Sequence, residues 1–220
     1  MRTFSLKRGL ALLVFCLAVL PGLSFAEEFV AGEHYDVISP ALRTADPDKI
    51  EVVEFFAYSC GHCYNFEPLV KKWKTGLADD VDFQQSPAIW ASQMEPHAKA
   101  FYTAKALGVL DKVHDALFAA MHVDRKRLGS EAEIRQIFVD SGVAGEDFDK
   151  AFRSFGVGSQ ARQAAALARS SRITGTPEMT VAGKYRISTR KAKGQAGMLK
   201  VVDYLVEKER QARAAATAAL

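Results

Sequence analysis

The chain has 220 residues, 49% apolar and 25% charged, with 29 lysines and arginines against 26 aspartates and glutamates. The positive excess comes from Arg2, Lys7 and Arg8; without them the balance is 26 against 26, which excludes a broad basic surface for nucleic acid. Three cysteines are too few for a disulfide framework, and a chain of this length can bury a core without such staples.

In chain order, the basic residues Arg2, Lys7 and Arg8 precede an apolar run from Gly9 to Leu20, then Pro21-Gly22 and the small-residue pattern Ser24-Phe25-Ala26. This predicts a secretory signal peptide over residues 1–26, cut after Ala26, with an apolar run too short for a membrane-spanning helix. Cys16 lies inside it behind the bulky Phe15, which fits poorly with lipoprotein processing, so Cys16 leaves with the signal. Cys60 and Cys63 are then the only cysteines of the mature chain.

A short strand is expected around Tyr35 to Ile38, and a strong one over Ile50 to Tyr58, rich in Val and Phe. Tyr64, Phe66, Leu69, Val70 and Trp73 recur at helical spacing, predicting a helix from Gly61 to about Thr75 with Pro68 inside it. Val81 to Ala88 reads as a strand. Residues 94–172 are helical almost throughout: Ala98 to Met121 with a possible break at Gly108, a capping box at Ser130 and Glu133 opening a helix closed by Gly142, a short helix from Glu146 to Phe155, and one capped by Ser159 running to about Ser171. Glu178 to Val181 and Lys184 to Ile187 form a hairpin about Ala182-Gly183. A last helix covers Gly197 to Arg210, and the Ala-rich residues 211–220 are expected to fray.

The chemistry is concentrated where the strong strand breaks into Cys60-Gly61-His62-Cys63. At a strand-to-helix junction the first helical N–H groups lack intrahelical partners, so a thiolate at Cys60 is favoured near neutral pH. Whatever stabilises the dithiol makes the disulfide a stronger oxidant. His62, between the two, adds positive charge or a hydrogen bond. Zinc wants four ligands, yet there is no second cysteine pair, and His34, His97, His114 and His122 lack ligand spacing. A structural disulfide across two residues would stabilise little. Redox chemistry is the stronger reading. The methionines Met94, Met121 and Met179 read as core, and Arg190, Lys191 and Lys193 as a solvated loop.

Strand, Cys-x-x-Cys helix, strand, helical block, Thr-Pro, hairpin and closing helix follow the order of an α/β thioredoxin fold carrying an inserted all-helical domain. With Glu54-Phe55-Phe56 leading into Cys60-Gly61-His62-Cys63, and Gly175-Thr176-Pro177 followed by Val181-Ala182-Gly183-Lys184-Tyr185, the chain resembles the DsbA-type periplasmic thiol:disulfide interchange proteins over nearly all of residues 29–210. The resemblance implies a thioredoxin-like domain from residues 27–93 and 173–210, with residues 94–172 inserted. It implies Cys60 as the exposed nucleophile, Cys63 as the buried resolving cysteine, His62 as a tuning residue, Pro177 in cis facing the sulfurs, and Glu54 as a buried proton acceptor for Cys63. Gly61 and Thr176 would border the substrate groove. The implied activity is oxidation of reduced, unfolded exported proteins in the periplasm by a monomer with no cofactor or metal, reoxidised by a membrane quinone-linked partner of the DsbB type.

Three places depart from the family pattern. Gly61 stands where Pro is common, matching eukaryotic disulfide isomerases, and Thr176 is shared with bacterial isomerases. Gln84-Gln85 occupies the strand where some relatives offer a lysine to the buried acid. A disulfide isomerase or reductase on the same fold, and a peptide-binding or metal-carrying module, are the alternatives.

Overall fold

The computed structural model describes residues 29–219; the expected signal peptide, its cleavage point and Cys16 lie outside them. Strands β1 (Asp36–Val37), β2 (Ile50–Phe56), β3 (Val81–Pro87), β4 (Glu178–Val181) and β5 (Tyr185–Ser188) form one sheet in the order β1-β5-β4-β2-β3. β2 pairs with β3 in parallel and with β4 antiparallel, so the Val- and Phe-rich strand lies inside the sheet and is buried on both faces. Its register sets Glu54 beside Gln85 of β3 and Met179 of β4.

Helix α1 (Gly61–Lys74) follows β2 directly and contains Pro68. Between β3 and β4 run a 3₁₀ turn (Ser92–Met94) and helices α2 (Glu95–Ala106), α3 (Leu110–His122), α4 (Glu131–Asp140), α5 (Gly145–Phe152) and α6 (Phe155–Ser170). Gly108, at φ +69°, supplies the left-handed residue that ends α2. The capping box of Ser130 and Glu133 opens α4. The cap of α6 is Ser154, not the expected Ser159: its side chain accepts from the Val157 N–H, and the helix starts before Gly156 and Gly158. The buried stripe Val157, Ala161, Ala164 and Ala168 holds that turn in place despite its glycines. At the hairpin, Ala182 (φ 52°) and Gly183 (φ 62°) both take positive φ, as a type I′ turn requires.

The closing helix α7 runs from Gln195 to Ala218, well past Arg210, where fraying was expected. Alanine is the strongest helix former, and Arg213 anchors the segment by donating to the Lys49 carbonyl at 2.8 Å. Lys191 differs as well: instead of being solvated, it donates to the Gly32 carbonyl at 2.8 Å and pairs with Asp36.

Side chains of β2 alternate between layers. Val53 and Phe55 pack on Ala168 and Ile173, the latter just beyond α6. On the other face, Val52 belongs to a core built with α1 and α7, whereas Phe56, Tyr58 and Cys63 belong to a second core filled by α2 to α5. Glu54 therefore sits at the seam between two apolar cores. No helix among the described residues is long and apolar enough to cross a membrane.

A candidate dithiol site at the start of helix α1

β2 ends at Phe56, the chain turns through residues 57–59, and Cys60 becomes the N-cap of α1. Its extended backbone (φ −91°, ψ 111°) aims the sulfur back at the helix, where Sγ accepts from the Cys63 N–H at 3.3 Å. Cys60 thus fills the role that serine or aspartate fills elsewhere. Cys60 is half-buried and Cys63 fully buried, and both are free thiols.

Electrostatics separate the pair. The Cys60 thiol is lowered to about 5, first by the hydrogen bond from the Cys63 side chain, then, against the opposing effect of burial, by the Thr176 side chain and the backbone N–H groups of Cys63 and His62. Burial pushes Cys63 far above the usual thiol range, and the neighbouring Cys60 adds to the shift. A proton therefore resides on the inner sulfur, and negative charge on the outer one.

Across from the sulfurs, Thr176-Pro177 is a cis peptide and Pro177 is buried. The Thr176 carbonyl lies 3.3 Å from Cys60 Sγ, which brings the loop before β4 against the start of α1. His62 is exposed; its ring makes no hydrogen bond among the described residues, and its carbonyl accepts from Gln195. The influence of His62 on Cys60 recorded in this geometry comes through its backbone N–H. Gly61 is exposed, with the His122 ring 3.9 Å from where a Cβ would begin.

Glu54 is fully buried, and its carboxyl is raised to about 8 by burial first and by the charge of Glu67 second, with Gln85 opposing. The missing lysine is replaced by an amide: Gln85 Nε2 donates to Glu54 Oε2 at 2.8 Å and to Glu67 Oε1 at 2.9 Å. Glu67 Oε1 also meets His114 Nε2 at 3.0 Å, and His114 Nδ1 meets the Tyr58 hydroxyl at 2.7 Å. Glu54 Oε1 has no partner among the described residues.

Gln85, Glu67, His114 and Tyr58 are the residues that sequence reasoning did not assign. Signals for two of them existed. Glu67 falls on the stripe Cys63, Phe66, Val70 of α1, and His114 on the stripe with Leu117 and Phe118 of α3, so each is a polar residue placed where the helix buries its face. No group of His, Cys, Asp and Glu suited to hold a metal occurs among the described residues.

A family model for the DSBA-like thioredoxin domain matches residues 75–205, and one for thioredoxin matches residues 41–99. The thiol:disulfide interchange protein DsbA of Pseudomonas aeruginosa is 39% identical over 187 residues, covering 85% of this chain and 89% of that protein. The chain belongs to the DsbA family. DsbA of Azotobacter vinelandii is 41% identical over 182 residues, with 83% and 85% covered. In three dimensions, the crystal structure of Pseudomonas aeruginosa DsbA matches with a TM-score of 0.81 at 39% identity, covering 84% of this chain and 96% of that one. Xylella fastidiosa DsbA matches at 0.77 and 32%, with 83% and 98% covered. Like these DsbA proteins, the chain is a thiol:disulfide oxidoreductase on a thioredoxin fold with a helical insertion.

Proposed function

We propose that the protein is a dithiol oxidase that introduces disulfides into exported proteins in the periplasm, with Cys60 as the sulfur that exchanges with clients. The observation that supports this reading best is the placement of Cys60 as the N-cap of α1, where Cys63, Thr176 and two backbone N–H groups all favour its thiolate.

In the oxidised enzyme a client thiolate attacks Cys60 Sγ; a client–Cys60 bond forms, the Cys60–Cys63 bond breaks, and Cys63 leaves with the electron pair. Because Cys63 holds a proton far more tightly than an ordinary thiol, it is protonated at once. Glu54, raised to about 8, carries a proton at neutral pH and is assigned as the buried group that exchanges it with Cys63. A second client thiolate then attacks the client sulfur of the mixed disulfide and Cys60 leaves. Its stability as a thiolate makes it a good leaving group and draws the reaction toward oxidised client. Two electrons pass to the enzyme, and reoxidation falls to a membrane quinone-linked partner of the DsbB type. Pro177, with no N–H of its own, leaves neighbouring backbone free to bond an extended client, and Thr176 and Gly61 border that contact. His62 is assigned to tune the pair. Residues 1–26 are assigned as the export signal.

The test is stopped-flow oxidation of a reduced dithiol peptide by the oxidised protein, together with the redox potential of the pair. Rapid oxidation and a potential well above that of thioredoxin, about −270 mV, are expected. A potential near that value would make the protein a reductase. Cys60→Ser should abolish turnover and Cys63→Ser should accumulate mixed disulfides; full activity of Cys60→Ser would overturn the assignment of the nucleophile.

A further inference from the structure

The surface beside Cys60 bears on which clients such an oxidase prefers. A cavity of about 620 Å³ is lined by Ser59, the residue before Cys60, and by Met94, Met121, His122 and the run Arg125-Lys126-Arg127. Met94 and Met121 are only partly buried; Met121 packs against the core of the helical insertion, as its hydrophobicity implied, while also facing this cavity. The end of α3 closes the distance to the sulfurs: the His122 ring stands against Gly61, stacks on Tyr64 with centroids 5.0 Å apart, and bonds the Tyr58 carbonyl at 2.7 Å.

No carboxylate among the described residues lines this cavity. Lys126 has a nearby counter-charge, Asp124, at 3.7 Å with both side chains about half exposed. Arg125 and Arg127 are exposed and have no hydrogen-bond or ion-pair partner among the described residues. Outside the N-terminal segment the chain balances its charges, so two unpaired guanidinium groups at one cavity mouth are a local excess rather than part of a general basicity. The loop presenting them is fixed. Arg125 (φ 58°) and Leu128 (φ 48°) both adopt left-handed backbone, which non-glycine residues keep only when their surroundings over-determine it. Here Leu128 is buried in the core of the helical insertion, its carbonyl bonds the His97 ring at 3.0 Å, and the Lys126 N–H donates to the Ala120 carbonyl at 2.8 Å.

We infer that this cavity docks acidic side chains that flank the reacting cysteine of a client protein. The inference rests on the oxidase reading for the identity of the partner and on charge complementarity for its chemistry. Whatever reaches a cavity next to Cys60 during exchange is tethered to a cysteine. Arginine guanidinium groups match carboxylates in a planar, two-pronged geometry. The methionine wall adapts to varied apolar neighbours of those carboxylates, which suits an enzyme acting on many sequences. Paired charges at such a rim act mainly on the rate of encounter, and the effect weakens with salt.

The experiment uses three dithiol peptides of one length whose cysteines are flanked by Glu, Gln or Lys, oxidised by the wild-type protein and by R125Q/R127Q in low and high salt. The readout is the ratio of Glu-flanked to Lys-flanked rates, which cancels any general change in Cys60 reactivity. For the wild type a ratio on the order of three to ten is expected at low salt, collapsing toward one at high salt. In R125Q/R127Q, confirmed folded by circular dichroism, the ratio should fall toward one at every salt concentration. A wild-type ratio of one, or one that survives the double substitution, would overturn the docking site and leave the oxidase standing. Failure to oxidise any of the three peptides would instead remove the oxidase reading on which it rests.

Discussion

Glu54 and Glu67 share a single amide: Gln85 Nε2 reaches one at 2.8 Å and the other at 2.9 Å, and no lysine or arginine among the described residues pairs with either. Two buried carboxyls this close cannot both ionise cheaply, so the pair holds a proton, and the raised value of Glu54 places it there. The consequence is a buried proton reservoir beside Gln85, whose amide carries no charge to displace the proton.

The reservoir should appear in the pH dependence of stability. Glu54 binds its proton with a pKa of about 8 in the folded protein, against 4.5 for an ordinary glutamate side chain. Between those values the folded state holds a proton that the unfolded state has lost. Stability contributed by this group is therefore present in full below the lower value and falls by about 1.4 kcal/mol per pH unit until the upper one. Urea unfolding of the reduced protein from pH 4 to 9 should show this fall in the difference between the wild type and Glu54→Gln, because the opposite slope of the Cys60 thiolate is common to both proteins and cancels. Equal slopes in the two proteins would mean that Glu54 is ionised throughout.

Gln85→Lys and Gln85→Leu should move Glu54 in opposite directions. A lysine places a cation between two carboxyls and lowers the Glu54 pKa, flattening the stability slope and gaining most at alkaline pH. A leucine strips Glu54 of its hydrogen bond and Glu67 of one of two, raising the Glu54 pKa further and costing roughly 2–4 kcal/mol. Carboxyl carbon NMR titration of the two variants would resolve the directions. A shift of the same sign in both would exclude the amide as the controlling group.

Much of this architecture is legible in the sequence, for physical reasons that differ by element. β2 and α1 are recognisable because their apolar spacing is strong and a Cys-x-x-Cys marks the junction, and Gly183 marks the hairpin because only a residue without a side chain tolerates positive φ with the Leu42 carbonyl oxygen 2.5 Å from where a Cβ would lie. Glu54 could be placed in the core because its four neighbours are apolar. What spacing cannot supply is contact across elements. Gln85 meets Glu54 only because β2 and β3 pair in parallel with that register, and His114 meets Glu67 only because α3 packs on α1. The tail departs from expectation for another reason. Residues 211–218 lack an apolar stripe, but alanine's intrinsic helix preference and the hold of Arg213 on Lys49 outweigh that lack.

Tyr58 and His114 should behave as one unit. With the phenol donating to Nδ1 and the imidazole Nε2–H donating to Glu67, every polar atom of the histidine is satisfied inside an apolar core. Tyr58→Phe should cost about 1–2 kcal/mol and His114→Leu about 3 kcal/mol, since the latter orphans both the phenol and one bond to Glu67. The double variant should cost less than the sum by about 1 kcal/mol, because the second change removes a group already unpaired. Strict additivity in urea unfolding would mean that the two side chains do not share a hydrogen bond.

Thr176 should set part of the oxidising power. Its side chain is the second favourable contribution to the Cys60 thiolate after that of Cys63, and it sits on the loop opposite the helix rather than on the helix itself. Thr176→Val keeps the shape and the backbone carbonyl that meets Cys60 Sγ but removes the hydroxyl, so the thiolate loses the side-chain contribution of Thr176. The Cys60 pKa should then rise from about 5 by roughly one unit. Cys60 is an acid whose pKa is depressed on folding. Its thiolate therefore stabilises the reduced protein fully above the ordinary thiol value of 9.0, and this is lost as pH falls through the folded value. The variant should lose it at higher pH and, with a less stable dithiol, become a weaker oxidant. Thiolate absorbance near 240 nm gives the titration midpoint, and equilibration with glutathione gives the potential. If the midpoint rose while the potential stayed fixed, the thiolate of Cys60 would not be what drives oxidation, and the source of the driving force would have to be sought in the disulfide form.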